Sequence, residues 1–215
     1  LLPHGRRIFN VAIRTIQLHK GKAIYGVGGG ITWDSTWESE YREVHQKAAV
    51  LYRKQARFQL FTTGKISQKN LLFEEQHLER LRKASRYFAF PFEAEDLKQK
   101  IEEECQVCDA NQDYRLRISL SKSGEIKLSR QALIPLSPSF CQSKLCLQEV
   151  NLQQAFTYFK TSHRPHLSLG KQEIIYHNAA GELLETSIGN LVLKIAGKLY
   201  TPPIRLGILP GIYRQ

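Results

Sequence analysis

Hydrophobic and polar positions change period several times along this chain, and each change marks an element. Residues 8–18, IFNVAIRTIQL, alternate as a half-buried strand does, and residues 23–27 alternate again beyond Gly21-Lys22, which predicts a hairpin. Gly28-Gly29-Gly30 then lets backbone come close to something else. Ser35-Thr36-Trp37-Glu38 has the form of a capping box opening a helix that runs to about Lys54. On that helix Tyr41, Val44, Ala48 and Leu51 make an apolar stripe, edged by Glu40, Glu43 and Lys47. Carboxylates at i and i+3 repel unless a positive charge lies between them, which points either to magnesium or to a basic neighbour such as Arg42 or Lys47.

The basic run at 52–57, YRKQAR, marks a junction, and a new unit starts at Phe58. Residues 58–66 read as a strand, with a polar turn at Ser67-Gln68-Lys69-Asn70. Helical spacing returns over 74–90, with Leu78, Leu81, Ser85 and Phe88 on one face and Pro91 as the stop. A second helix covers 93–106. Tyr114, Leu116, Ile118 and Leu120 alternate strictly, and Ser123-Gly124 turns that strand into another at 126–128. Two helices and a sheet predict a small α+β lobe. Pro135 and Pro138 mark a linker, and a second lobe begins near residue 144 with a strand at 148–152. A polar turn follows at Phe159-Lys160-Thr161-Ser162-His163-Arg164, and then apolar runs broken at Gly181 and Gly197 that read as hairpins. The fold class is α+β, with segments 1–56, 57–135 and 136–215.

Composition narrows the function classes. With 215 residues the chain can bury a substantial core. No apolar run is long enough to span a bilayer, and no signal peptide opens the sequence, so a cytoplasmic protein is expected. There is no methionine, and the sequence is expected to be a piece of a longer protein. The net charge of +11 suits a solvated basic surface or small anionic ligands. It carries no aromatic-and-basic motif of a nucleic-acid binder. Cys105 and Cys108 form a C-x-x-C, which raises zinc or redox chemistry, but Cys141 and Cys146 do not complete such a site. Reduced thiols without a function are the expectation.

Residues 181–214, GELLETSIGNLVLKIAGKLYTPPIRLGILPGIYR, combine an acid, an amide and a Pro-Gly turn whose N–H groups suit an anion. The order Glu185, Ser187, Asn190, then Leu199-Tyr200-Thr201, then Gly211-Ile212-Tyr213-Arg214 resembles the class IV, pyridoxal-phosphate-dependent aminotransferases and lyases. Val192 departs from the pattern, standing where an aromatic residue is usual. By this resemblance the domain is a truncated two-lobe fold-type IV enzyme that acts as a homodimer. Lys160, 25 residues before Glu185, is the lysine that anchors the cofactor and moves the proton. Glu185 would pair with the pyridine nitrogen and Asn190 would stand beside it. Arg80, in H-L-E-R-L, would bind the phosphate together with the N–H groups of Gly211 and Ile212. The run Phe61-Thr62-Thr63 resembles the aminodeoxychorismate lyases of the family, which implies a proton relay through Thr63. The connection from Lys160 to Glu185 is shorter than usual, which leaves an inactive relic domain as one alternative. A transaminase of branched-chain or D-amino acids is another.

The first segment carries its own resemblance. F-N-V-A-I-R-T-I, Y-G-V-G-G-G-I and D-S followed by E-S-E-Y-R-E-V-x-x-K-A resemble the carboxy-terminal end of the chorismate-binding enzymes, component I of aminodeoxychorismate synthase above all. That implies chorismate contacts from Arg14, from the backbone of Gly28, Gly29 and Gly30, and from Lys47. It implies magnesium ligation by Glu40 and Glu43, and a glutamine amidotransferase partner that supplies ammonia. A synthase end followed by a lyase-like domain resembles the fused 4-aminobenzoate synthases of folate biosynthesis. Taken as a piece, the chain is expected to be inactive in both halves and poorly soluble.

Overall fold

In the computed structural model the chain falls into two units, Leu1–Ala56 and Arg57–Gln215. Residues 14–52, 56–134, 143–152, 154–167 and 173–214 are described. The first unit opens with a hairpin, β1 (Ile16–His19) and β2 (Lys22–Tyr25), paired Ile16↔Tyr25 and His19↔Lys22. Lys20 and Gly21 both take positive φ, 45° and 75°, as a two-residue turn with right-handed strand twist requires. The hairpin arm is shorter than expected within the described residues, and residues 8–13 of the expected strand lie outside them.

Helix α1 (Trp37–Tyr52) begins one residue later than the expected box. Thr36 is the cap. Its Oγ1 accepts from the Ser39 N–H at 3.3 Å, and Ser39 Oγ accepts from the Thr36 N–H at 3.2 Å. The reciprocal bond must come from the third helical residue, which is Ser39 and not Glu38. None of the residues of α1 is buried.

The second unit is built on a sheet ordered β4-β3-β5-β6. Its strands are β3 (Leu60–Ser67), β4 (Asn70–Leu71), β5 (Tyr114–Leu120) and β6 (Ile126–Ala132), all antiparallel to their neighbours. The pair β3–β4 was not expected. It forms because Gln68 and Lys69 adopt φ 49° and 61°, folding the polar turn into a tight hairpin. The strand expected at 126–128 extends to Ala132. Alternation on β3 turns Leu60, Thr62, Gly64 and Ile66 inward, against α2 (Glu74–Phe88) and α3 (Ala94–Gln106). Leu78, Leu81, Leu97, Ile101, Leu116, Ile118 and Leu120 complete this core. Gly64 is required where β3 meets α2, because a Cβ there would lie 2.7 Å from His77 Nε2. Helix α2 ends ahead of Pro91. Ala89 takes φ 53°, and the Phe90 N–H bonds back to the Ser85 carbonyl at 2.9 Å, so a left-handed cap is the stop.

The second lobe has β7 (Lys144–Leu147) parallel to β8 (Ile174–His177), which pairs antiparallel with β9 (Leu183–Thr186). Between β7 and β8 lies one helical turn, α4 (Ala155–Tyr158). The strand expected at 148–152 is corrected to β7. After the Gln148 N–H bonds the His177 carbonyl, the chain leaves the sheet, and Val150 and Leu152 pack on Gly207. Hairpin β10 (Leu193–Ile195) and β11 (Lys198–Tyr200) closes around Gly197. Leu167, Tyr176, Leu184 and Ile208 form a smaller core. Cys105 and Cys108 are buried in the first lobe as free thiols, and Cys141 lies outside the described residues, as do Pro135 and Pro138.

Candidate active site

The two lobes of the second unit are stitched where β3 begins. Leu60 bridges Thr161, the Phe61 N–H donates to the Lys160 carbonyl at 3.0 Å, and the Ser162 N–H donates to Gln59 at 2.9 Å. This pairing holds Lys160 in extended backbone just past α4 and brings its Nζ within 5.2 Å of the Phe61 ring centroid. A cavity of about 640 Å³ opens there, lined among others by Phe61, Thr63, Arg117, Lys160, Arg164 and Ser187. Strand alternation separates the two threonines. Thr63 lines the cavity, whereas Thr62 is fully buried on the opposite face and its Oγ1 lies 2.6 Å from His77 Nδ1.

Burial pushes the Lys160 amine down to about 8, with Arg80 and Arg164 adding to the shift and Glu185 opposing it. An amine in that range is neutral often enough near neutral pH to accept a proton. Glu185, on β9, is 2% exposed. Both hydrogen bonds described for its carboxylate fall on Oε1: Arg164 Nη2 donates at 2.9 Å and the Leu209 N–H at 3.4 Å. Burial raises its pKa, against the lowering effects of Arg164, the Leu209 N–H and Lys160.

Arg80 reaches over from α2, and its Nη2 donates to the Pro210 carbonyl. Burial, then the charge of Arg164, push it down to about 10, so it stays cationic at neutral pH. Asn190 pairs across from Glu185 and donates through Nδ2 to the Leu209 carbonyl at 2.9 Å. Gly211 has no room for a side chain, since a Cβ would fall 1.7 Å from Asn190 Oδ1. The turn Gly211–Arg214 is tied down by Arg214, which donates to Thr201 Oγ1 at 2.8 Å and to the Pro202 carbonyl at 2.7 Å. Lys160, Arg80, Glu185, Asn190 and Gly211 thus converge on one region, with Thr63 on the cavity wall and Ile212 buried next to Gly211 in the chain.

Two residues were missed by sequence reasoning. Arg164 was noted as part of a run, but its ion pair with the buried Glu185 depends on a contact 21 residues apart. Arg117 lies with its guanidinium 3.8 Å from the Phe61 ring centroid, and only the period-2 alternation of β5 could have placed it on the cavity side.

In the first unit the structure gathers most of the residues singled out there. Lys47 Nζ donates to the Gly28 carbonyl at 2.8 Å and pairs with Glu43 at 2.5 Å. A Cβ on Gly29 would lie 2.9 Å from Glu40 Oε2 and 3.6 Å from Glu43 Oε1, so that backbone runs against both carboxylates. The positive charge beside the acid pair is here Lys47. Gly30 is exposed with open space around it, and Arg14 is exposed with no described contact to this cluster. Among the described residues no three acidic, histidine or cysteine side chains converge as a metal site.

Two family models match the chain. Amino-transferase class IV matches residues 59–215, and chorismate binding enzyme matches residues 1–53. No curated protein matches it. Among solved structures, a provisionally assigned amino-acid aminotransferase from Mesorhizobium loti is 24% identical with TM-score 0.59, over 72% of this chain and 79% of its own. A provisionally assigned 4-amino-4-deoxychorismate lyase from Legionella pneumophila is 20% identical with TM-score 0.54, over 72% and 65%. A hypothetical aminotransferase from Mycobacterium tuberculosis, bound to α-ketoglutarate and PMP, is 17% identical with TM-score 0.54, over 71% and 64%. At these identities the likeness is one of fold, shared by aminotransferases and a lyase alike. No helix among the described residues is long and apolar enough to cross a membrane.

Proposed function

We propose, for a chain that belongs to the class IV aminotransferase family and carries the end of a chorismate-binding enzyme ahead of it, the function of a 4-aminobenzoate synthase. The synthase part converts chorismate to 4-amino-4-deoxychorismate, with ammonia from a glutamine amidotransferase partner. The class IV part removes pyruvate from that product and leaves 4-aminobenzoate. The observation that carries the lyase assignment is that Lys160 and Thr63 line one cavity while Thr62 is turned into the core.

The residues present fit pyridoxal phosphate. Arg80 is a partly buried cation beside the Gly211 turn, where the missing Cβ lets Asn190 pack against the turn, and the N–H groups of Gly211 and Ile212 would join Arg80 on a phosphate. Glu185 is a buried carboxylate suited to the ring nitrogen, with Asn190 fixing the turn against it. Bound there, the cofactor supplies an electron sink for a developing carbanion. Lys160, once its amine is neutral, takes the proton from the substrate ring carbon that bears nitrogen, and Thr63 relays it. Glu185 holds the opposing charge in a site of low dielectric, which strengthens its effect. In the first unit Lys47, the Gly28-Gly29-Gly30 backbone and Arg14 would bind the carboxylates of chorismate, although of these only Lys47, Gly28 and Gly29 are in mutual contact among the described residues. Glu40 and Glu43 would contribute two of the oxygen ligands that magnesium requires, with the ion taking the place of Lys47 beside Glu43.

The test is pyruvate release from aminodeoxychorismate by the full-length protein loaded with pyridoxal phosphate. Lys160→Ala is expected to lower the rate at least a hundredfold while synthase activity is unchanged. Ketoacid formed from a branched-chain or D-amino acid, with no pyruvate from aminodeoxychorismate, assigns a transaminase instead. No change in absorption on adding the cofactor identifies a relic domain.

A further inference from the structure

The cavity-facing side of the β3–β5–β6 sheet carries more cations than the chemistry above uses. In register, Thr63, Arg117 and Ser129 form one cross-strand row, and Lys65, Arg115 and Gln131 form the next. Arg115 and Arg117 therefore stand on one face of β5, rooted about 7 Å apart, and both line the cavity with Lys160. Neighbouring cations are neutralised: Lys65 by Asp113 at 2.5 Å and Arg164 by Glu185 at 2.9 Å. Neither Arg115 nor Arg117 has a carboxylate partner among the described residues.

The two arginines are held differently. Arg117 lies over Phe61, whose ring centroid is also 5.2 Å from Lys160 Nζ, and both side chains line the cavity. Arg115 stands one row farther out and donates through Nη2 to Gln131 Oε1 at 2.5 Å. A neutral amide orients the guanidinium without cancelling its charge, leaving the other donors for an anion. Burial lowers the Arg117 pKa and the charge of Arg115 lowers it further, a like-charge strain that a bound anion relieves.

We infer that Arg115, oriented by Gln131, is a second anion-binding group of this cavity and selects substrates with two separated carboxylates over amino acids with one. The inference rests on the lyase reading, whose substrate carries a ring carboxylate and an enolpyruvyl carboxylate. It also gives the fold a means of rejecting ordinary transaminase substrates.

The test uses two unreactive probes, isophthalate with two carboxylates and benzoate with one, titrated by calorimetry into the full-length protein loaded with pyridoxal phosphate. Unsubstituted protein should bind isophthalate at least tenfold more tightly than benzoate. Arg115→Gln should lose about tenfold for isophthalate and leave benzoate within twofold, and Arg115→Lys should retain most of the preference. Benzoate binding is the internal control for folding, since Arg115 is exposed. Absence of the preference in the unsubstituted protein, or equal weakening of both probes in Arg115→Gln, overturns the inference, as does unchanged isophthalate binding. Because neither probe turns over, a protein that releases no pyruvate yet keeps the preference loses the proposed reaction and retains the subsite.

Discussion

Helices α1 and α2 look alike in sequence and differ in what they bury. Each has an apolar stripe at helical spacing and a polar edge with a candidate functional cation, Lys47 on one and Arg80 on the other. On α2 the stripe is covered, and Leu78, Leu81 and Ala84 are no more than 2% exposed. On α1 nothing is buried, with Tyr41 61% and Leu51 47% exposed. Periodicity therefore tells which face of a helix seeks cover, not whether its own unit supplies it. The polar edges behave differently again. Glu40, Glu43 and Lys47 are organised against Gly28 and Gly29 without a buried base, whereas Arg80 is projected from a packed one. A side chain proposed to hold a phosphate would gain from that support.

The largest expected effect separates the two stripes. Leu78→Ala should destabilise the second unit by about 2–5 kcal/mol, through lost transfer energy and an unfilled cavity. Leu51→Ala on α1 should change stability by no more than about 0.5 kcal/mol. Urea unfolding followed by amide hydrogen exchange on each helix measures both. Equal effects at the two positions would abolish the contrast.

A smaller effect tests the join between α2 and β3. His77 is fully buried and pushed down to about 4 by burial, with Arg80 and Lys160 adding to the shift. The unfolded chain takes up this proton below about 6.5, its usual value, and the folded one only below about 4. Between those limits the unfolded state binds more protons, so stability is complete above pH 6.5 and falls as pH drops toward 4. The loss attributable to His77 is on the order of 3 kcal/mol. His166, also pushed down to about 4, contributes in the same direction. In His77→Gln the His166 share remains, so the difference in slope between the two proteins isolates His77. An unchanged slope from pH 7 to 4.5 would mean that His77 takes up its proton in the folded state at an ordinary pH.

The first lobe was largely legible, and for a physical reason. Strict alternation at 114–120 and helical spacing at 74–88 each specify one buried face, and the sheet and helices realise both. What escaped was set by single backbone conformations, as at Ala89, where a left-handed residue ended α2 before Pro91. The second lobe was less legible because its strands have three or four residues, too few for a period to declare itself. That uncertainty moved β7 by four residues. The motif residues of the site were visible as Glu185, Asn190 and Gly211 in order along the chain. The ion pair to Arg164 and the placing of Arg115 and Arg117 on the cavity face of β5 were not, because both depend on which strand faces lie together.

The cap of α1 gives the smallest effect and the sharpest check on that helix. With no buried stripe to hold its first turn, α1 depends more on its own end than α2 does. Thr36 and Ser39 satisfy each other's backbone N–H groups, and Ser35 Oγ donates to Glu40 at 2.6 Å. Thr36→Ala removes one of these acceptors and should cost about 1 kcal/mol. Local opening is then about fivefold more frequent, which speeds amide exchange in the first turn by the same factor. Glu38→Gln, the residue that the pattern first suggested as the reciprocal partner, should leave that exchange nearly unchanged apart from its weak interaction with the helix dipole. If Glu38→Gln matched Thr36→Ala, the box would sit on Ser35 after all, and Glu40 would be released from the hydroxyl that now orients it toward Gly29.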